Sequence, residues 1–200
     1  NITINGNMAG TIGGGIGMVT SNPSLENVNI VNNTATGHTD VYGGGILCFF
    51  NSNPDLVNSI LWGNSPDNVS FHPVSDSDTI TIGYSDIQGG QDSIVTDDHG
   101  TVIWGDGNID VDPLFVDADN NDFNLTIDSR CIDTGHPDST DGDGTRADIG
   151  AFYDDQTGQP LRVRNLITTP SADNVSVRWN ANIDAASYNV YRSTDGSADF

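Results

Sequence analysis

Carboxylates are the side chains best suited to chemistry in this chain of 200 residues, and two groups of them have the spacing of a cation site. Glycines interleave the first group and would let backbone carbonyl oxygens turn toward a bound ion. The second group presents side-chain oxygens at alternating positions, as the opening of a calcium-binding loop does. Ca²⁺ takes oxygen ligands of both kinds, so calcium is the cofactor that the sequence predicts. The first group is Asp138, Asp141, Asp143 and Asp148, and the second is Asp117, Asp119 and Asn121.

Turn formation is the alternative explanation for both groups. Asp side chains accept hydrogen bonds from nearby backbone N–H groups in Asx turns, and Arg146 would then pair with a neighbouring Asp. The second group also lacks the glycine at the sixth position and the distal glutamate of a complete calcium loop. The sequence leaves calcium binding and turn formation open at both places.

Paired carboxylates could also hydrolyse a polysaccharide if two or three of them met on one wall. A polysaccharide lyase would instead need a cation and a basic side chain beside the substrate carboxylate, and the chain has no Lys or Arg before Arg130. Asp is more often a turn residue in a chain of this kind. We therefore expect no catalytic residue here, although the enzyme question stays open. The candidate pairs are Asp76 with Asp78, and Asp97 with Asp98 near His99.

The charge of the chain excludes several classes of partner. Its net charge is -22, it has no lysine, and all six of its cations are arginines. Nucleic acids and anionic membranes bind to basic patches, and a polyanionic substrate would be repelled by an acidic surface. The sequence also has no apolar run of membrane-spanning length. We expect no nucleic acid, no membrane insertion and no polyanion among the partners.

Two tryptophans and two cysteines have more than one interpretation. Trp62 and Trp104 would form a platform for stacking sugars if they were exposed, but a core or coil-edge position is the alternative, since Trp62 follows two apolar residues. Cys48 lies in an apolar run and is predicted to be a small core residue. The sequence does not decide whether Cys48 pairs with Cys131.

The elements that would position these side chains follow from a repeated passage. Gly13–Ile16 recurs as Gly43–Ile46, and matching Asn, Pro and apolar residues follow each copy at an offset of 30 to 31 residues. A repeat of this length is one supersecondary unit that must stack on its neighbours to bury its apolar face. Short strand-like runs separated by turn residues, without an amphipathic helix, make the chain all-β.

Constant coil length favours a parallel β-helix over a sandwich built of hairpins. Two observations would test this prediction. Ile16 and Ile46 should stack on one wall in adjacent coils, whereas antiparallel hairpins within residues 13–64 would contradict the coil. Four asparagines beside the bends should hydrogen-bond along their own rows: Asn27, Asn33, Asn58 and Asn64.

Three parts of the chain resemble known families. The repeats resemble those of right-handed parallel β-helices in bacterial surface proteins, including the polymorphic outer-membrane protein type. The passages 112–125, 129–135 and 141–152 are similar to the choice-of-anchor Q module, although Arg130 stands where that module usually has proline. Trp179 and the run 187–192 resemble the first half of a fibronectin type III domain.

These resemblances imply an architecture. A right-handed parallel β-helix would occupy residues 1–153, with a cap at about 110–153. The apolar residues that would cover the last coil are Leu114, Phe115, Phe123, Ile132 and Phe152. A linker would follow at 154–160, and the N-terminal half of a fibronectin type III domain, an immunoglobulin-like β-sandwich, at 161–200.

The resemblances also imply a location and a class of function. We expect a non-catalytic segment of a secreted or cell-surface bacterial protein, which serves adhesion and binds an extracellular glycan or protein. One alternative is a carbohydrate-active β-helix, a polysaccharide hydrolase or lyase, whose catalytic coils lie upstream. Another alternative is a purely structural spacer.

Overall fold

The computed structural model describes residues 1–37, 42–74, 77–157, 164–170 and 175–180. The described chain is almost entirely β, with single 3-10 turns at Gln91–Ser93 and Ala118–Asn120. It forms two compact units, Asn1–Gln156 and Thr157–Phe200. Asp76 and the predicted fibronectin run 187–192 lie outside the described residues.

The first unit contains a parallel β-solenoid of thirteen short strands. They are β1 (Ile2–Asn5), β2 (Met8–Ala9), β3 (Ile16–Val19), β4 (Ser24–Glu26), β5 (Val28–Val31), β6 (Thr34–Ala35), β7 (Ile46–Phe49), β8 (Asp55–Val57), β9 (Ile60–Trp62), β10 (Val69–Phe71), β11 (Thr79–Gly83), β12 (Asp86–Ile87) and β13 (Thr101–Trp104).

Three sheets form the walls of the solenoid, and every strand pair in them is parallel. Sheet A has the order β1-β5-β9-β12, sheet B the order β3-β7-β10, and sheet C the order β4-β8-β11-β13. The strands β2 and β6 pair in parallel at a corner. The prediction of a parallel coil is therefore confirmed, since the hairpins that would have contradicted it are absent from the described part of residues 13–64.

Equivalent residues of successive coils stack in register. Ile16 pairs with Ile46 in sheet B, as the repeat predicts. Leu25 pairs with Leu56 in sheet C. Because side chains alternate between the two faces of a strand, these residues and their neighbours two positions away point into the coil. They form one continuous core whose central residues are wholly buried, among them Ile30, Ile46, Leu56, Leu61, Phe71 and Ile82.

The repeated glycines let successive coils approach closely. A side chain at Gly14 would place its Cβ 2.5 Å from the carbonyl oxygen of Gly44, and one at Gly44 would overlap the backbone of Ser65. Gly13 and Gly43 precede them with φ angles of 66° and 64°, in the left-handed region that suits glycine. The passage therefore recurs because each copy must fit against the backbone of the next coil.

An asparagine ladder closes the corner between sheets A and B. The Oδ1 atom of Asn64 accepts hydrogen bonds from the backbone N and the Nδ2 of Asn33, at 2.9 and 3.0 Å. Asn33 in turn accepts the same two bonds from Asn7, at 3.0 and 2.9 Å. The predicted role of Asn33 and Asn64 is confirmed.

Ladders of short polar side chains close the other two corners. Between sheets C and A, the hydroxyl of Ser59 accepts the N–H of Val28, and Ser85 accepts that of Ser59. Between sheets B and C, Ser52 accepts the N–H of Ser21. Side chains thus satisfy backbone groups where the sheets end.

The predicted row of Asn27 and Asn58 does not form in this way. Both residues are left-handed at the corner, with φ of 52° and 49°. The Oδ1 atom of Asn58 accepts the backbone N–H of His136, 2.6 Å away, instead of bonding to Asn27. The reason is that residues 110–153 lie beside this corner and compete for its polar groups.

Residues 110–153 lie along the outer face of sheet A, whereas the sequence predicts a cap over the last coil. The N–H of Ala151 donates to Asn29 of β5, and that of Val111 donates to Asp86 of β12. Of the five residues predicted to supply apolar cover, Phe123 and Ile132 are buried and Phe115 is partly buried, whereas Leu114 and Phe152 are 39% and 38% exposed. Residues 110–153 cover sheet A because its outward side chains include Ile60, which is apolar and would otherwise be exposed to water.

A second hydrophobic core forms between this segment and sheet A. It joins Ile60 with residues of the segment, while an antiparallel pair, β14 (Phe115–Asp117) and β15 (Asp122–Leu125), packs beside it. Phe115 and Phe123 of this pair meet edge to face, with centroids 5.2 Å apart. The other members of the core are Leu125, Cys131, Ile132 and Ile149.

The second unit contains one antiparallel strand pair among its described residues. The strands β16 (Arg164–Pro170) and β17 (Val175–Asn180) pair with Thr168 opposite Val177.

Substituting Gly44 tests the close approach of the coils. We expect Gly44→Ala to lower the free energy of unfolding by about 1–3 kcal/mol, because the new Cβ displaces the backbone of Ser65. Gly10 is the matched control, since a Cβ there meets nothing within 4 Å, and Gly10→Ala should change stability by less than about 0.5 kcal/mol. Urea denaturation measures both, and equal effects would contradict the steric explanation.

Substituting Asn64 tests the asparagine ladder. We expect Asn64→Ala to cost about 2 kcal/mol or more, because it leaves the buried donors of Asn33 and the carbonyl oxygen of Ile30 without their partner. Asn22 accepts two similar bonds from Asn53 at an exposed corner, where water can replace it. Asn22→Ala should therefore cost under about 1 kcal/mol in the same denaturation assay. A loss as large as that of Asn64→Ala would show that burial is not the cause.

Candidate functional site

A row of four aromatic rings lies on the outer side of sheet B. The rings belong to Tyr42, His72, Phe49 and Phe50, in that order, and we call them the ring row. Successive ring centroids are 5.3, 4.2 and 3.9 Å apart. Phe49 and Phe50 are stacked with an angle of 29° between their planes. The result is a continuous aromatic surface at the side of the coil.

Strand alternation turns two of these rings outward. Cys48 and Phe71 are paired across β7 and β10, and both are wholly buried in the core. The residues that follow them, Phe49 and His72, therefore face away from it. The backbone N–H of His72 donates to the carbonyl oxygen of Cys48, 3.0 Å away, which holds the two rings in neighbouring coils.

Phe50 sits at the corner between sheets B and C in a left-handed conformation. Its φ is 52°, and the equivalent Thr20 one coil earlier has the same value. A bulky residue in this region is uncommon and costs on the order of 1–3 kcal/mol. The Phe50 side chain is nevertheless 47% exposed, so core packing alone does not account for its presence at this corner.

Neutral polar side chains lie at the corner that Phe50 begins. Asn51 follows Phe50 and is exposed. Asn22 accepts hydrogen bonds from the N and Nδ2 of Asn53, at 2.9 and 3.1 Å, and both of these residues are exposed as well. The corner therefore combines an apolar ring with amide donors and acceptors, which is the composition of a binding surface.

For Trp62 and Trp104 the sequence left open an exposed platform or a core or coil-edge position. Trp62 is partly buried against the second core, beside sheet A, and Trp104 is partly buried against the solenoid core at the end of β13. They belong to different sheets and do not form a joint platform. The available signal was the comparison of the two repeats, where Val19 and Thr20 of the first copy become Phe49 and Phe50 in the second.

The first predicted calcium group is used in hydrogen bonds to the backbone. Asp148 accepts the N–H groups of Asp133 and Asp154, at 2.7 and 2.8 Å. Asp141 accepts the N–H of Asp148 at 2.7 Å. Asp143 accepts those of Thr145 and Gln156. These three carboxylates therefore act as turn acceptors, while Asp138 is exposed.

Burial sets the protonation of this group. It raises the pKa of Asp148 to about 8 and that of Asp141 to about 6, although hydrogen bonds from backbone N–H groups oppose the rise at both. Burial alone would raise the pKa of Asp143 as well, but its hydrogen bonds from Gln156 and Thr145 outweigh that effect and lower it. Arg146, predicted to pair with an Asp, donates to the carbonyl oxygens of Gly135 and Thr134.

The second predicted calcium group lies on the surface beside β1. Asp117 accepts the N–H and Nδ2 of Asn120 and so caps a 3-10 turn. Asn121 accepts the Nδ2 of Asn5, 2.7 Å away, and Asp119 is exposed. Among the residues that the structure describes, no three His, Cys, Asp or Glu side chains are arranged to hold a metal ion. Calcium binding stays a prediction at both groups.

The carboxylates considered for catalysis occupy turns or the interior. Asp78 is 1% exposed, and its Oδ1 accepts the N–H of Ser52 at 2.7 Å. Asp97 and Asp98 are exposed and left-handed, with φ of 46° and 63°. Asp76, which the sequence pairs with Asp78, lies outside the described residues. Asp78 thus serves the ladder between sheets B and C.

Both cysteines are buried and unpaired, in two different cores. Burial raises the pKa of the Cys48 thiol to about 12 and that of Cys131 well above its ordinary value. The thiol of Cys131 donates to Asp86, with Sγ and Oδ2 3.3 Å apart. Cys48 is a core residue, as the sequence predicts, and neither thiol has the character of a nucleophile at neutral pH.

Comparison with protein-family models, with curated proteins and with solved structures found no match to this chain. Within the described ranges, no helix is long and apolar enough to cross a membrane.

The buried Asp86 predicts a pH dependence of stability. Burial raises its pKa to about 7, and the charges of Asp110 and Asp112 add to the effect against the hydrogen bond from Val111. The folded state thus holds this proton more tightly than the unfolded chain does. The contribution of Asp86 to the free energy of unfolding is therefore complete below about pH 4 and is lost as the pH rises through about 7. Over this range the free energy of unfolding falls by up to about 1.4 kcal/mol per pH unit.

Asp86→Asn isolates this contribution, because it keeps an oxygen for the N–H of Val111 and cannot ionise. Urea denaturation between pH 5 and 8 should show a shallower decline of stability in the variant than in the wild type. The slope that remains is assigned to Asp148 and Asp141, whose pKa values are also raised. Parallel curves for the two proteins would show that Asp86 is not a source of the dependence.

Proposed function

We propose that this chain is a non-catalytic binding segment of a secreted or cell-surface bacterial protein, which serves adhesion to an extracellular glycan or protein. The observation that carries the proposal is the ring row on a stack of coils, in which Phe50 is exposed and the other three rings are partly buried beside it. Exposed aromatic side chains that are supported by a regular framework favour binding, because little conformational entropy is lost on contact.

The use of the acidic side chains supports a non-catalytic role. Asp78, Asp141, Asp143 and Asp148 accept backbone hydrogen bonds. Hydrolysis of a glycosidic bond needs two carboxyl groups facing one another across the substrate, and these side chains are committed to turns instead.

The same proposal includes a finer assignment of the fold. We assign the solenoid to right-handed β-helices of the bacterial surface type, because connections between parallel strands are overwhelmingly right-handed. We assign the segment 110–153 to a module like choice-of-anchor Q on its motifs. The pairing of β16 with β17 supports a fibronectin type III domain that begins near 161.

The proposal is tested on arrays of extracellular-matrix proteins and of glycans, with the full chain labelled by a fluorophore. The test variant is Phe50→Asn, which removes the exposed ring. The matched control is Ile103→Thr, because Ile103 is an equally exposed apolar residue on sheet C. We expect binding to at least one array feature that Phe50→Asn reduces tenfold or more and Ile103→Thr leaves unchanged.

Release of reducing or unsaturated sugars from the bound features is measured in parallel, and we expect none. Sugar release would contradict the non-catalytic part of the proposal. Binding that Phe50→Asn leaves unchanged would contradict the role of the ring row. A chain that binds no feature would be the purely structural spacer.

A further inference from the structure

We infer that the ring row and the neighbouring amides form a site for a neutral glycan, in which the apolar face of a pyranose ring stacks on Phe50. This inference rests on the proposed function and adds the chemical class of the ligand. It is carried by three features of the site: the way the rings are arranged, the lack of any Lys or Arg in residues 1–129, and the amides that follow Phe50 along the chain.

The ring row offers a one-sided surface. The inner face of Phe50 rests on Phe49, with centroids 3.9 Å apart, so its outer face is the one available to a ligand. His72 leans on Phe49 from the next coil at 4.2 Å. An ammonium group is recognised by several aromatic rings whose faces surround it. The rings here pack against one another instead, so they form no such cage. A flat, one-sided apolar surface matches the C–H face of a pyranose.

Val19 extends the apolar surface beside the rings. It pairs with Phe49 in the sheet B register and is 57% exposed. Phe49 therefore has an aliphatic neighbour in one coil and an aromatic neighbour in the other. The surface runs across three coils, which is long enough for more than one sugar unit of a linear chain, since adjacent strands lie about 4.8 Å apart.

The charge of the chain argues against an anionic ligand. Residues 1–129 contain no Lys or Arg, so no fixed cation of this part of the chain could pair with a uronate, sulfate or phosphate. The net charge of -22 repels polyanions at long range. The carboxylate bonded to the N–H of Ser52 belongs to Asp78, which is 1% exposed, so it offers no surface ion pair to a basic peptide.

The amides next to Phe50 suit the hydroxyl groups of a sugar. Asn22 and Asn53 are tied to each other by two hydrogen bonds, and both are exposed. Each amide has two donors and an acceptor, so this pair keeps bonding capacity beyond the contacts between its own members. A stacked pyranose presents hydroxyl groups at its edge, where such amides would meet them.

The test is isothermal titration calorimetry of the full chain with four hexasaccharides. Three are neutral, namely cellohexaose, mannohexaose and xylohexaose, and the fourth is the anionic hexagalacturonate. We expect at least one neutral hexasaccharide to bind, with an affinity that changes less than twofold between 0.05 and 0.5 M NaCl. We expect no binding of hexagalacturonate.

Phe50→Asn is the decisive variant, because Asn adopts a left-handed backbone more readily than Phe. Its melting temperature should therefore equal or exceed that of the wild type, while its affinity for the neutral hexasaccharide falls at least tenfold. Ile103→Thr should bind as the wild type does. Asn53→Ala, which leaves the ring row intact, should weaken binding three- to tenfold and carries the test if Phe50→Asn fails to fold.

Three outcomes would overturn the inference: no binding of any neutral hexasaccharide, binding of hexagalacturonate alone, or equal binding by the wild type and Phe50→Asn. The array experiment then distinguishes a failure of the ligand class from a failure of the binding function. If Phe50→Asn still removes binding to an array protein, the binding function stands and the ligand class is wrong. If Phe50→Asn changes no array signal, the binding function through the ring row fails as well.

Discussion

A stack of coils holds together only if each backbone N–H and C=O group meets its counterpart one coil away, and every other feature of this solenoid follows from that requirement. Within the three sheets, backbone hydrogen bonds between parallel strands meet it. At the corners the strands end, and side chains take over. The Asn7–Asn33–Asn64 ladder serves one corner, and serine ladders serve the others. The repeated glycines belong to the same constraint, because a Cβ at Gly44 would hold the adjacent coil too far away for these bonds.

The three sheets of the solenoid have outward faces that differ in what covers them. The face of sheet A carries Ile60 and is sealed by residues 110–153, which form a second core there. The face of sheet C has Ser24, Asp55 and Thr81 in one row, which ends at the exposed Ile103. The face of sheet B presents the ring row. In a solenoid of this kind the inward residues and the ladders stabilise the fold. The outward residues are then available for binding.

Most of the fold could be predicted from the sequence, but much less of the site could. The offset between Ile16 and Ile46 predicted their register, and Asn33 and Asn64 predicted the ladder, because a repeat makes each coil a template for the next. The predicted position of residues 110–153 over the last coil was wrong, since nothing in the local sequence of that segment reveals which face of the solenoid it will cover. Of the two alternatives that the sequence left open for Trp62 and Trp104, the structure agrees with the core or coil-edge position. Tryptophan is the usual residue for stacking sugars, but the two residues lie against different cores.

By itself, the sequence determined the parallel stacking of coils, the burial of Cys48 and the absence of fixed positive charge before Arg130, because periodicity and composition are properties of the chain alone. The tertiary structure decided which acidic side chains became turn acceptors, since Asp148 accepts the N–H groups of Asp133 and Asp154, 15 and 6 positions away along the chain. It also decided the ring row, in which His72 and Phe49 are 23 positions apart along the chain and 4.2 Å apart between ring centroids. Contacts between coils depend on the length of each coil, and the loops that set those lengths vary from one coil to the next.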